Sequence, residues 1–365
     1  MKPTQQQVQT KIIDTIYDND FRGIIKSSVR SGKTRILLNA VLKHNTSSSP
    51  RILVLYPNVD IKTSWIKEVE IIGFPFEIVY CTFVSMKKVA QESWDYIIFD
   101  EAHLIPEEHK LPIAGQLARD NKHVVFASGT YTATTLADIR IHTQMRLIVD
   151  YSTDDAIEDN LIIDFNVIVH QYQLDSTKQR RFGKIRKYWS TDVKECERLT
   201  KAVETLHGDK KILASLSRMR FINTNGTLVD RIVEWINNNP NERFILFTEN
   251  EDFGKKINLP MFNSKSKDDT CLKDFQAQKI NQLCLIKKGS AGITYPKLNS
   301  ILISSINSNG ETLEQMIGRA LLKDTEVANI HVFVSDKKFQ LNWLESALCN
   351  IKKEKITWIY HGFLL

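Results

Sequence analysis

Two short stretches, Ser31-Gly32-Lys33-Thr34 and Phe99-Asp100-Glu101-Ala102-His103, constrain this chain more than anything else in it. Each follows β-forming residues, Gly23-Ile24-Ile25-Lys26 in the first case and Tyr96-Ile97-Ile98-Phe99 in the second. The first also opens a helical pattern, with apolar residues at Ile36, Leu37, Ala40 and Val41. A strand–loop–helix turn gathers backbone N–H groups and the positive end of the helix dipole into one concavity. Lys33 in that turn suits the β- and γ-phosphates of a nucleotide, and Thr34 suits Mg²⁺. Adjacent carboxylates at the end of a parallel strand suit the same ion, through Asp100, and the attacking water, through Glu101. This is the minimal chemistry of nucleoside triphosphate hydrolysis. The loop departs from GxxxxGK[ST] at its first position, where Ser27 replaces glycine.

The strand candidates are continuous apolar runs rather than alternating ones. They are 23–26, 51–56, 76–81, 96–99 and 123–127, then 165–172, 244–247, 283–286, 301–303 and 330–334. Such runs imply strands covered on both faces, hence parallel sheets with helices on each side. The expected fold is α/β with two tandem domains. Residues 1–150 form the first and 241–365 the second, ending in a short helix (339–351) and strand (355–360). A charged, helical segment, 151–240, connects them, and Asn237-Asn238-Asn239-Pro240-Asn241 marks its end.

Composition excludes several classes. Hydrophobic residues make up 42% and charged residues 25%, as in a globular protein. No apolar run approaches the ~20 residues of a membrane span, and the N-terminus lacks the apolar core of a signal peptide. A cytoplasmic location is expected, that of a host if the chain is viral, and neither secretion nor a membrane partner. The five cysteines are scattered without a CxxC pair, against a zinc site or disulfide framework. Net charge is +6, a modest basic excess that fits a polyanionic partner. It is concentrated in Lys178–Trp189, where six basic and three aromatic residues occupy twelve positions. This stretch reads either as a nucleic-acid contact, with Arg180, Arg181 and Trp189 as candidates, or as an amphipathic helix with a solvated basic face. The frequency of charged surface helices tips the reading toward the helix.

Lys33-Thr34 with Asp100-Glu101-Ala102-His103 resembles motifs I and II of the DExH-type superfamily 2 helicases, and further segments fit in order. Lys2-Pro3-Thr4-Gln5 resembles the element that reads adenine, through Gln5. Tyr56-Pro57 with Ser64-Trp65, and Thr82-Phe83-Val84-Ser85, resemble motifs Ia and Ib, which track a nucleic-acid strand. Ser128-Gly129-Thr130 resembles motif III and Phe247-Thr248 motif IV. Gly289-Ser290-Ala291-Gly292-Ile293-Thr294 resembles motif V, and Gln315-Met316-Ile317-Gly318-Arg319 motif VI. Residues 155–162 resemble the segment entering the second domain of DNA translocases of the phage UvsW, type I/III restriction motor and Swi/Snf branches.

The resemblance implies two RecA-like domains with an ATP cleft between them, and ATP with Mg²⁺ as cofactors. Its catalytic residues are Lys33, Asp100, Glu101 and Arg319, the last an arginine finger. Nucleotide contacts fall on Gln5, Arg30, Ser31, Gly32, Lys33, Thr34, His103, Gly292 and Gln315, and Mg²⁺ on Thr34 and Asp100. Nucleic-acid contacts fall on Pro57, Trp65, Thr82, Ser85, Ser128, Thr130, Thr248, Gly289 and Ser290, with Arg180, Arg181 and Trp189 added from composition. The implied function is an ATP-dependent DNA helicase or translocase, closest to the UvsW-like and type III restriction motor branch. Its substrate is single-stranded, forked or duplex DNA, and a protein partner could supply specificity. An RNA helicase, or a regulatory nucleic-acid binder with weak ATPase activity, are the alternatives. Leu322, where a second arginine is usual in motif VI, and Ser27 in the phosphate loop motivate the latter.

Overall fold

The computed structural model describes residues 3–28, 31–57, 59–105, 109–183, 187–263, 268–286, 295, 298–306, 313, 327–348 and 351–362. They divide into two compact units, Met1–Ile162 and Ile163–Leu365. Among the described residues, no helix is long and apolar enough to cross a membrane.

In the first unit the apolar runs become strands β1 (Gly23–Ser27), β2 (Ile52–Tyr56), β3 (Ile78–Thr82), β4 (Tyr96–Asp100) and β5 (His123–Ser128), with a sixth, β6 (Leu147–Tyr151). They form one sheet in the order β3-β2-β4-β5-β1-β6, every pairing parallel. Strands alternate their side chains between two faces, so each face has its own core. Leu53, Leu55, Ile97, Phe99, Val124 and Phe126 pack on one side with Ala114 and Leu117 of helix α4 (Leu111–Asp120). Ile52, Val54, Ile98 and Val125 pack on the other with α1 (Gln5–Asp18), α2 (Lys33–His44) and α3 (Val59–Ile72). β6 is not among the expected strands, because Asp150 and the flanking Arg146 interrupt its apolar run. Helices α5 (Ala133–Thr143) and α6 (Thr153–Glu158) complete the unit.

The second unit corrects the reading of 151–240 as a connector. Its strand β7 (Asp164–Tyr172) lies inside a second all-parallel sheet. Its helices α7 (Asp192–Thr205), α8 (Gly208–Ile222) and α9 (Gly226–Asn238) put Cys196, Ile222, Leu228 and Ile232 into the core of that sheet. The remaining elements are β10 (Phe244–Thr248), α10 (Glu251–Ile257), β11 (Met261–Asn263), α11 (Thr270–Gln276), β12 (Gln282–Ile286), β13 (Ser300–Ile303), β14 (Val327–Ser335), α12 (Lys338–Leu348) and β15 (Ile356–His361). The sheet order is β11-β12-β10-β13-β14-β7-β15.

Residues 178–189 do not form the amphipathic helix expected of them. Arg180–Phe182 (β8) and Tyr188–Ser190 (β9) make an antiparallel hairpin, with Gly183 at φ 86° beyond the first strand. Left-handed backbone at that position favours glycine and is incompatible with a continuing helix.

Three histidines cross the second sheet. His170 Nδ1 lies 2.9 Å from His361 Nε2, and His170 Nε2 lies 2.9 Å from His331 Nδ1. Burial, then the neighbouring imidazoles, push His170 down to about 3, and burial pushes His331 down to about 4. Both rings are therefore neutral in the fold, while an unfolded chain takes up protons below about 6.5. Stability of this unit should fall as pH drops from about 6.5 toward 4. Denaturation followed by tryptophan fluorescence across that range checks this. His331→Gln should flatten the acid limb, and an unchanged slope would contradict the assignment.

Candidate nucleotide site

The phosphate-loop candidate is held from three sides. Ser27 ends β1, fully buried, and its hydroxyl donates to Ser31 Oγ at 2.7 Å, bridging the two ends of the turn. Serine at the usual glycine position thus acts as a closing bond. The Ser28 N–H is anchored on Tyr151 O at 2.9 Å. Gln9, from α1, donates its amide to Ser31 O at 2.8 Å. Gly32 has φ 84°, and a Cβ there would collide with the Gln9 amide and come within 3.9 Å of Gln5 Nε2. The left-handed φ favours glycine at position 32, and Gln5 Nε2 also lies beside the loop. α2 begins at Lys33 with no side-chain cap on its first amides, which leaves N–H groups for an anion.

The carboxylates stand at the C-terminal end of β4. Asp100 is 5% exposed, and both its oxygens are engaged. Trp65 donates its indole N–H to Oδ2 at 2.7 Å, and the Glu101 N–H donates to Oδ1 at 2.9 Å. Glu101 has φ 50°, a left-handed turn that breaks the strand and swings its side chain toward Lys33, 3.4 Å away. Its other oxygen lies 3.3 Å from the Ser128 hydroxyl and 3.5 Å from His103 Nδ1. His103 is buried, with Nδ1 2.5 Å from Ser128 Oγ.

Electrostatics separate the two acids. Burial, then the adjacent Glu101, raises Asp100 to about 6. Burial also acts to raise Glu101, but Lys33, His103 and Ser128 outweigh it and hold Glu101 below the usual carboxylate range. Glu101 is the acid kept ionised, able to take a proton only once its cation is drawn off. Two carboxylates against one lysine leave an excess of negative charge, and Thr34 with Asp100 offers oxygen donors only. That donor set fits Mg²⁺.

The other expected residues divide. Ser128 and Thr130 are buried at the end of β5, with the Thr130 N–H on Ser128 Oγ at 3.0 Å, so Ser128 belongs to the carboxylate cluster. Pro57, Thr82 and Ser85 are half-buried around the ends of β2 and β3, and Thr248 is buried at the end of β10. Trp65, expected to touch a nucleic-acid strand, is instead fully buried and spends its only polar atom on Asp100. Arg180 is neutralised by Asp192 at 3.2 Å and Asp230 at 2.8 Å. Arg181 and Trp189 are directly paired across the hairpin and exposed, Trp189 by 68%. Arg30, Gly289, Ser290, Gly292, Gln315 and Arg319 lie outside the described residues. Three contributors escaped the sequence reading: Ser27 as a bond, Gln9, and Trp65 as the partner of Asp100. Gln9 had a signal, since Gln5 and Gln9 share a helix face at i and i+4.

Residues 1–77 match the family model of the type III restriction enzyme, res subunit, which takes in the phosphate loop and α3 but stops before the carboxylates. No curated protein matches the chain. Among solved structures, S. cerevisiae Dbp5 bound to RNA and ADP BeF3 is similar with a TM-score of 0.59 and 13% identity, covering 97% of this chain and 89% of that one. The ATP-dependent type ISP restriction-modification enzyme LlaBIII bound to DNA gives 0.60 and 14%, covering 99% of this chain but 31% of that much longer one. The DEAD-box helicase Mss116 bound to ssRNA and UDP-BeF gives 0.55 and 13%, covering 100% of this chain and 75% of that one. At these identities the likeness shows the fold: two parallel sheets flanked by helices, matching the tandem RecA-like domains seen in helicases.

Proposed function

We propose that this chain is an ATP-driven motor of helicase superfamily 2 that moves along or remodels DNA. The observation that carries the reading is the meeting of Lys33, Glu101 and Asp100 at the C-terminal ends of the first sheet's strands, with Lys33 3.4 Å from Glu101. The α2 amides and Lys33 bind the triphosphate, and Lys33 leaves Glu101 for the phosphate oxygens. Glu101, freed of its cation, accepts the proton of the attacking water. Asp100, oriented by Trp65, and Thr34 would hold Mg²⁺, which when bound neutralises charge developing on the phosphates. His103 and Ser128 keep Glu101 aimed. Arg319, by its resemblance to motif VI the candidate arginine finger, would stabilise transition-state charge.

The choice of DNA rests on the resemblance of 155–162 to DNA translocases and on the fold shared with LlaBIII, solved on DNA. The fold is equally shared with Dbp5 and Mss116, solved on RNA, so an RNA motor is the second reading. The hairpin supplies a contact surface. Phe182 and Tyr188 turn inward, Phe182 against Phe221, and leave Arg181 and Trp189 on the outer face. A guanidinium beside an indole suits phosphate neutralisation with base stacking.

ATPase rates with single-stranded, duplex and forked DNA and with RNA, run in parallel, test the proposal. Stimulation by DNA is expected, and stimulation by RNA alone would transfer the reading to RNA. Lys33→Ala and Glu101→Ala should each lower turnover by roughly 10²–10⁴-fold, and unchanged turnover would overturn the mechanism.

Trp189→Ala should weaken binding by about 1–3 kcal/mol. Arg181→Ala should reduce the salt slope of binding by about one contact. Wild-type affinity and slope would remove the hairpin from the interface. Trp65→Phe deletes a hydrogen bond that favours ionised Asp100. It should raise the Mg²⁺ concentration for half-maximal rate several-fold and move the acid limb of activity to higher pH. Unaltered Mg²⁺ dependence in a folded variant would deny Trp65 its positioning role.

A further inference from the structure

At the opposite end of the first sheet, three chain segments bring two imidazoles and a carboxylate together. Asp20 lies in the turn between α1 and β1, His44 ends α2, and His123 begins β5. Asp20 Oδ1 is 3.0 Å from His44 Nε2 and 3.6 Å from His123 Nδ1, and the three candidate ligand atoms all fall within 4.8 Å of one another. We propose that Asp20, His44 and His123 form a binding site for a zinc-class divalent transition metal, distinct from the nucleotide site.

The geometry suits such an ion. Tetrahedral coordination with bonds of about 2.0–2.1 Å places ligand atoms roughly 3.3 Å apart, and the two separations from Asp20 Oδ1, 3.0 and 3.6 Å, lie on either side of that figure. Two imidazoles and one carboxylate select zinc, nickel or cobalt over magnesium, which prefers oxygen alone. His44 is already oriented. Its Nδ1 is 3.0 Å from the Tyr96 hydroxyl, which fixes the ring with Nε2 toward Asp20. A histidine held through its second nitrogen is the usual arrangement of a metal ligand. The two rings stand 4.6 Å apart and are mostly covered, with 13% and 17% side-chain exposure, while Asp20 faces solvent at 53% and leaves room for water as a further ligand. The last residue of α2 also sits at the negative end of the helix dipole, which favours a cation.

Two groups compete with the ion. His123 Nδ1 lies 2.9 Å from Asp20 O, so coordination exchanges that hydrogen bond for the metal. Lys122 Nζ lies 3.2 Å from Asp20 Oδ2 but is 73% exposed, free to move into water. Bound metal would join segments 24 and 79 residues apart in sequence (20 to 44, and 44 to 123) and stiffen the first unit.

Titrating the full chain with Co²⁺ at neutral pH tests the site. The expected result is visible d–d absorption saturating at one equivalent, displaced by Zn²⁺, with a Zn²⁺-dependent rise in thermal midpoint. Because Co²⁺ can also occupy the nucleotide site, Asp100→Asn should keep this band. The double variant His44→Gln/His123→Gln should bind Co²⁺ about tenfold or more weakly and lose the thermal rise, with turnover unchanged. Asp20→Asn, on an exposed turn, gives the same readout should the double variant misfold. Absence of the band, or equal Co²⁺ affinity in these variants, would overturn the proposal.

Discussion

Burying two neighbouring carboxylates beside a single lysine is the interaction on which the chemistry proposed for the first unit depends. Charges taken out of water are costly unless paired and hydrogen-bonded. Here every oxygen of the pair has a partner: Trp65 and the Glu101 amide on Asp100, Lys33 and Ser128 on Glu101. Those partners come from β4, β5, α2 and α3, which only the parallel sheet order β2-β4-β5-β1 brings together at the strands' C-terminal ends. In the proposed mechanism the pairing of Lys33 with Glu101 is a resting contact from which a polyphosphate takes the lysine away.

The loop that carries Lys33 shows how a departure from a motif can be absorbed. A serine replaces glycine at position 27, yet the backbone there belongs to a regular strand and has no need of glycine. The hydroxyl instead closes the turn on Ser31, and Gln9 fastens the same residue from outside. Glycine is favoured instead five residues later, where the backbone is left-handed.

Much of the fold was legible because its strands are covered on both faces, which writes continuous apolar runs such as Ile52–Tyr56 and Tyr96–Phe99 into the sequence. The proximity of Lys33 to the acids was foreshadowed by their places after parallel strands, the lysine opening α2 and the acids at the end of β4. What escaped depends on partners distant in sequence. Trp65 reads as a surface aromatic until the fold sets it against Asp100, 35 residues on. The hairpin at 180–190 reads as a charged helix, since six basic residues mask the turn at Gly183. The stretch around 164–172 reads as the start of a connector, because its place between β14 and β15 is decided by segments over 150 residues later. Asp20, His44 and His123 carry no spacing that announces a shared site.

The most direct measurement is equilibrium binding of a non-hydrolysable ATP analogue, with Mg²⁺, to the wild-type chain and to Glu101→Gln. If Lys33 must leave Glu101 to meet the phosphates, neutralising Glu101 should tighten binding several-fold while turnover of ATP itself is lost. Weaker or unchanged binding, or turnover that persists in the variant, would contradict the exchange at the centre of this mechanism.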